Sequence, residues 1–124
     1  MGTVAMDSDA GGVLTVALSG EIDFTNASPI NLAVRDEINR CRPSAVRVDL
    51  AAVTFLDSSG IGVLVRAMRA AGDADAGFRV VNPTDKVFDQ LRGACLLDVF
   101  GLAEPQPEPE ATPEPEPDPP GRAG

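Results

Sequence analysis

Three consecutive residues carrying side-chain oxygens, Asp57-Ser58-Ser59, precede Gly60-Ile61-Gly62. From there the apolar residues Ile61, Leu64, Val65, Met68 and Ala71 recur at spacings of three and four. That period places them on one face of a helix, with Arg66 and Arg69 on the outer face and Gly72 as a stop. First-turn amides have no partner inside a helix, and the oxygens of Asp, Ser and Thr accept from them. The first chemistry of this stretch is therefore that of an N-cap, and capping by itself asks for nothing more. The glycines do ask for more. Each costs a helix about 1 kcal/mol relative to alanine, so two in a first turn imply that something approaches the backbone closely. A helix start with bare amides, a hydroxyl and no bulky neighbour accommodates an anion such as a phosphate.

Other chemistry is harder to build from this chain. There is no histidine, which removes the Ser-His-Asp and Cys-His arrangements from a single subunit. Gly60-Ile61-Gly62 lacks the Gly-Lys-Ser/Thr ending of a phosphate-cradling loop. Asp23, Asp49 and Asp57 are of a type that holds cations, but caps and solvation are the commoner use of such residues. No enzyme activity, metal or cofactor is expected. The net charge of -9 and the single lysine, Lys86, also exclude a surface that neutralises nucleic-acid phosphates.

The elements that must position the Asp57-Ser58-Ser59 turn follow from periodicity. Val46, Val48 and Leu50 alternate with polar residues and predict a half-buried strand over 45–50. Leu14, Val16 and Leu18 predict another over 13–18, ended by Gly20, and residues 3–6 add a short edge strand. Ile30, Val34, Ile38 and Cys41 predict a helix over 26–41, with Thr25, Asn26 or Ser28 as cap and Pro29 tolerated in its first turn. Residues 77–81 predict a strand ended by Asn82-Pro83, and Thr84 opens a short helix to Gly93 with Val87, Phe88 and Leu91 inward. Strands alternating with helices mean an α/β fold with parallel pairing.

Val48-Asp49-Leu50 followed by Val53-Thr54-Phe55-Leu56-Asp57-Ser58-Ser59-Gly60-Ile61-Gly62-Val63-Leu64 resembles the signature of the STAS domain of bacterial anti-sigma factor antagonists. Gly20-Glu21-Ile22-Asp23 is similar to the second signature of that family, and the match runs from about Val13 to about Leu102. The resemblance implies a small mixed sheet with helices packed mainly on one face. It implies an interaction module in which Ser58 is phosphorylated by the anti-sigma factor, itself a serine kinase, with a serine phosphatase reversing the step. Asp23, Asp57, Ser58, Ser59, Gly60 and Gly62 would form the partner-binding surface. A ligand- or nucleotide-binding accessory module of a transport or signalling complex is the alternative within the same family. The chain departs from the family at its end: members close with a strand and a helix, whereas 96–102 offer at most the strand before prolines begin at Pro105.

A chain of 124 residues leaves room for one domain, expected over 3–102. No apolar run has the length of a membrane span, and Asp7 and Asp9 stand where a secretory leader would be basic, so the cytoplasm is the expected compartment. Cys41 and Cys95 are too few and too far apart for a knuckle or a disulfide framework and read as buried thiols. Residues 103–124 hold eight of the eleven prolines and six acidic residues against Arg122, a net of -5 that leaves -4 on the rest. Alternating Pro and Glu has little to bury and reads as a disordered tail, with a spacer or an acidic docking segment as its functional alternatives.

Overall fold

A computed structural model describes residues 2–102. The chain runs β1 (Thr3–Ser8), β2 (Val13–Ile22), α1 (Ala27–Cys41), β3 (Ala45–Leu56), α2 (Ser58–Asp73), β4 (Gly77–Val81) and α3 (Asp85–Gly93). The four strands form one sheet in the order β1-β2-β3-β4. β1 is antiparallel to β2, and β2, β3 and β4 are parallel. Parallel crossovers are right-handed, and both step along the sheet in the same direction, so α1 and α2 lie side by side on one face.

Register explains which face they cover. Leu14, Val46 and Phe78 form one row across the sheet and Val16, Val48 and Val80 the next; with Ile30, Val34, Ile38, Val63 and Leu64 the buried members make the core, and the partly buried Phe78 packs against it. The alternate row, Asp7-Thr15-Arg47-Arg79, points the other way and has the polar character of a solvated sheet face. The helices thus cover one side, as the resemblance implied. On α2 the buried stripe is Gly60, Val63, Leu64, Ala67 and Ala71, while Ile61, Val65 and Met68 are only partly buried. The face is turned towards Val63 and Ala67, because α2 packs against α1 as well as against the sheet.

Several boundaries move outward from the sequence expectation. β2 continues through Gly20, at φ 75°, to Ile22, and β3 continues past Leu50 to Leu56. Between Ala17 and Ile22 the pairing shifts twice, leaving two extra residues on β3. Such bulges reverse the inward and outward alternation, so the buried positions of β3 change from 46, 48 and 50 to 53 and 56. A strict period-two pattern stops at the bulge although the strand does not. Asp49 sits at the first irregularity, its carboxylate accepting from the Ala51 amide at 2.9 Å. Gly72 lies within α2, which ends at Asp73.

The end of the described chain corrects two expectations. Residues 96–102 form turns and not a strand: Phe100 N donates to Leu96 O and Leu102 N to Leu97 O, with Gly101 at φ 73°. One bond to the sheet remains, from Val80 N to Phe100 O at 3.1 Å. Phe100 is fully buried, its ring 6.0 Å from that of Phe78, so an aromatic plug closes the β4 edge where a fifth strand was expected. Cys41 is half-buried and Cys95 exposed, since Cys95 takes φ 61° in the turn leaving α3 and its side chain is carried away from the core. The tail expected over 103–124 lies outside the described residues.

Leu64→Ala should cost about 2–5 kcal/mol and Phe100→Ala about 3–5 kcal/mol, the range for truncating fully buried side chains. Urea unfolding at constant slope checks both. A loss under about 0.5 kcal/mol at either would place that residue at the surface.

Candidate functional site

Asp57 is the last residue before α2 and its cap. One carboxylate oxygen accepts from Gly60 N at 2.9 Å, and the carbonyl of Asp57 accepts from Ile61 N at 2.9 Å. The other carboxylate oxygen accepts from Phe24 N at 3.3 Å, in the loop between β2 and α1. Asp57 N donates to Ile22 O at 3.2 Å. A single residue therefore closes the first turn of α2 and ties it to the end of β2.

The division of labour in the Asp57-Ser58-Ser59 turn follows from this geometry. Capping belongs to Asp57, so Ser58 and Ser59 are the first two helical residues, whose amides have no acceptor within the helix. Ser58 is exposed and Ser59 half-buried. Neither hydroxyl makes a hydrogen bond among the described residues. Ser58 thus presents an unengaged hydroxyl at the positive end of a 16-residue helix.

The two glycines do different things. A Cβ on Gly60 would lie 2.3 Å from Ile22 O and 3.0 Å from Leu56 Cδ2. The group that approaches the Gly60 backbone is therefore the end of β2, and the expected opening for a ligand is absent there. Around Gly62 a Cβ would meet nothing within 4 Å, so that position leaves the first turn bare.

Asp23 reaches the same end of the sheet through the neighbouring loop. Its carboxylate accepts from Thr25 N at 2.9 Å and from the Thr25 hydroxyl. Its carbonyl accepts from Asn26 N and Ala27 N, while its amide donates to the Asn26 side chain. Asn26 also donates to Glu21 O at 2.9 Å. The Thr25 hydroxyl bond, followed by the Thr25 amide, holds the Asp23 carboxyl below its ordinary value. Asp23 and Asp57 are thus linked by one backbone step through Phe24. Asp49 is not part of this group, being spent at the β3 bulge, and among the described residues no three acidic or thiol side chains gather as a metal site would need.

Two residues of the site were not singled out from sequence. Phe24 is 78% exposed; the available signal was an aromatic residue in a polar loop, outside any apolar period. Gln90 on α3 is the other. β4 pairs with β3 only as far as Asp49, and Gln90 stands in for the missing strand, its side chain accepting from Leu56 N at 3.2 Å and donating to Leu56 O. Thr84 caps α3 and donates to Val53 O. Nothing in a lone helical Gln announces that role.

The amino-acid sequence matches the STAS domain family over residues 7–108. The chain belongs to the STAS domain family. This STAS domain is 33% identical over 67 residues to the anti-sigma-F factor antagonist RsfB of Mycobacterium tuberculosis, an alignment covering 54% of each chain. It thus spans about half the length of the curated relatives it matches. The crystal structure of an anti-sigma factor antagonist from Mycobacterium paratuberculosis superposes with a TM-score of 0.73 at 30% identity, covering 85% of this chain and 87% of that one. The phosphorylated form of the Bacillus cell fate determinant SpoIIAA superposes at 0.64 with 16% identity, covering 85% and 93%, a likeness of fold. No helix of the described STAS domain is long and apolar enough to cross a membrane.

Gly60→Ala should destabilise by about 1–3 kcal/mol, since the added methyl overpacks against backbone. Gly62→Ala should be neutral or stabilising by up to about 1 kcal/mol. Equal effects in thermal unfolding would contradict the packing. Thr25→Val should return the Asp23 carboxyl towards its ordinary value, read by carboxyl NMR titration. Because the folded-state value is depressed, the linked stability is present above the unfolded value and lost as the pH falls through the folded one. Thr25→Val should lose the hydroxyl's share of that acid-range pH dependence and keep the amide's, and an unmoved Asp23 titration would assign the depression elsewhere.

Proposed function

We propose that this chain is an anti-sigma factor antagonist: a cytoplasmic binding module, not an enzyme, switched by phosphorylation of Ser58. The observation that carries the reading is the exposed Ser58 hydroxyl, freed from capping by Asp57 at the start of α2. The partner is an anti-sigma factor with serine kinase activity. Ser58 Oγ attacks the γ-phosphorus of the partner's ATP, the bond to the β-phosphate oxygen breaks, and ADP leaves. The serine proton passes to a base on the partner, since both Asp57 oxygens already accept amide bonds and the chain has no histidine. A serine phosphatase restores the hydroxyl by hydrolysis.

The domain tolerates the modification because a phosphate at a helix start is favoured by the dipole and by the free first-turn amides. Binding does not tolerate it. About two negative charges are added beside Asp57 and close to Asp23, on a surface the partner must desolvate, and like charges brought together there cost several kcal/mol. Each 1.4 kcal/mol is tenfold in affinity. The unmodified form captures the anti-sigma factor and frees the sigma factor; the phosphorylated form lets the anti-sigma factor go. Ser59 and Gly62 belong to the contact surface, while the buried Gly60 serves it only indirectly. Gly60 sets the approach of α2 to β2, and Gly62 leaves the turn bare for the partner backbone.

Intact-mass analysis after incubation with the cognate kinase and ATP should show one added phosphate, mapped to Ser58 and absent from Ser58→Ala. Ser58→Ala should still bind, and Ser58→Asp should bind more weakly by at least about tenfold. A phosphate on Ser59, or none on any residue, would sink the assignment.

A further inference from the structure

On the outer side of α1 and α2, away from the Ser58 turn, lies a groove of about 440 Å³. Arg35 on α1 and Arg66 and Arg69 on α2 line it, with Asp73 as the one acidic side chain and Leu32 and Ala70 among the apolar ones. Arg66 and Arg69 form no salt bridge among the described residues, and Arg35 has only its exposed neighbour Asp36 at 3.6 Å. Three guanidiniums against one carboxylate reverse the sign of a chain whose net charge is -9. Leu32, half exposed, supplies apolar surface between them.

We propose that residues 105–118 of this same chain dock in the groove. Glu108, Glu110, Glu114, Glu116 and Asp118 alternate there with prolines, and no basic residue intervenes. Pro-rich sequence favours an extended helix of three residues per turn rising about 3.1 Å per residue, so carboxylates two residues apart point to different sides and the segment carries negative charge all round. Arg66 and Arg69 are three apart on a helix, about 5–6 Å between Cβ atoms, so a single carboxylate can reach both. Proline rings between the carboxylates meet Leu32 and Ala70. Reach is not limiting: six residues from Leu102 to Glu108 span up to about 19 Å at that rise, and a 100-residue domain has a radius of gyration near 13 Å. Tethering supplies an effective concentration on the millimolar scale, which makes weak exposed ion pairs count. The proposal stands apart from the reading of Ser58.

The test uses the full chain. Replacing Glu108, Glu110, Glu114 and Glu116 by Gln and Asp118 by Asn should move the amide NMR signals of Leu32, Arg66, Arg69 and Ala70. A synthetic peptide of residues 105–118 added to that variant should restore them. Arg66→Ala with Arg69→Ala should weaken the peptide about tenfold, the scale of two exposed ion pairs lost together. About 1 M salt, with a screening length near 3 Å, should release it. Groove signals that do not respond, or that respond equally in Arg66→Glu with Arg69→Glu, would overturn the proposal. Signals that shift with protein concentration would overturn it in favour of a second copy in the groove.

Discussion

The Asp57 carboxylate holds two parts of the chain that are 33 residues apart in sequence. With one oxygen it satisfies Gly60 N and so begins α2; with the other it accepts from Phe24 N and so fixes the loop that begins α1. A charge-assisted bond at a cap is stronger than a neutral one, and this residue supplies both bonds at once. The exposure of the Ser58 hydroxyl depends on it. Were a serine the cap, that hydroxyl would be turned towards the amides; with an aspartate one position earlier, the serine is the first residue of the helix and its hydroxyl meets solvent.

That arrangement needs α2 to start very close to the end of β2, and the sheet is built to allow it. Two extra residues on β3 carry its end past the point where β4 stops. The uncovered edge at Leu56 is filled by the Gln90 side chain from α3. Unpaired backbone groups at a buried edge are costly, so α3 serves the site as well as the core. Gly60 then lets the first turn of α2 rest on Ile22 O, a contact that any side chain would prevent.

Charge is distributed with the same economy. Asp23 and Asp57 sit on either side of Phe24, each engaged by backbone amides. Amide donors stabilise a carboxylate locally, and both carboxylates are held in this way at one end of the sheet. On the far side of the same helices the groove presents guanidiniums instead. The helix pair α1 and α2 thus separates an acidic end from a basic flank.

Much of this was legible in the residues themselves. Alternation in 13–18 and 45–50, and the three-and-four spacing after Gly60, report local geometry that any chain of that pattern adopts, and the Asp57-Ser58-Ser59 turn fell where those periods meet. Legibility failed where a partner far along the chain decided the outcome. The bulges between Asp49 and Phe55 broke the alternation before the strand ended, because register is settled by β2 and not by β3 alone. Residues 96–102 have strand-forming composition, yet turn bonds and the burial of Phe100 against Phe78 prevail. Gly60 and Gly62 are the same residue type two positions apart, and sequence assigned them one role. Only the tertiary structure separated them, since a missing Cβ matters where another backbone lies within contact distance, and Ile22 O is beside one glycine and not the other.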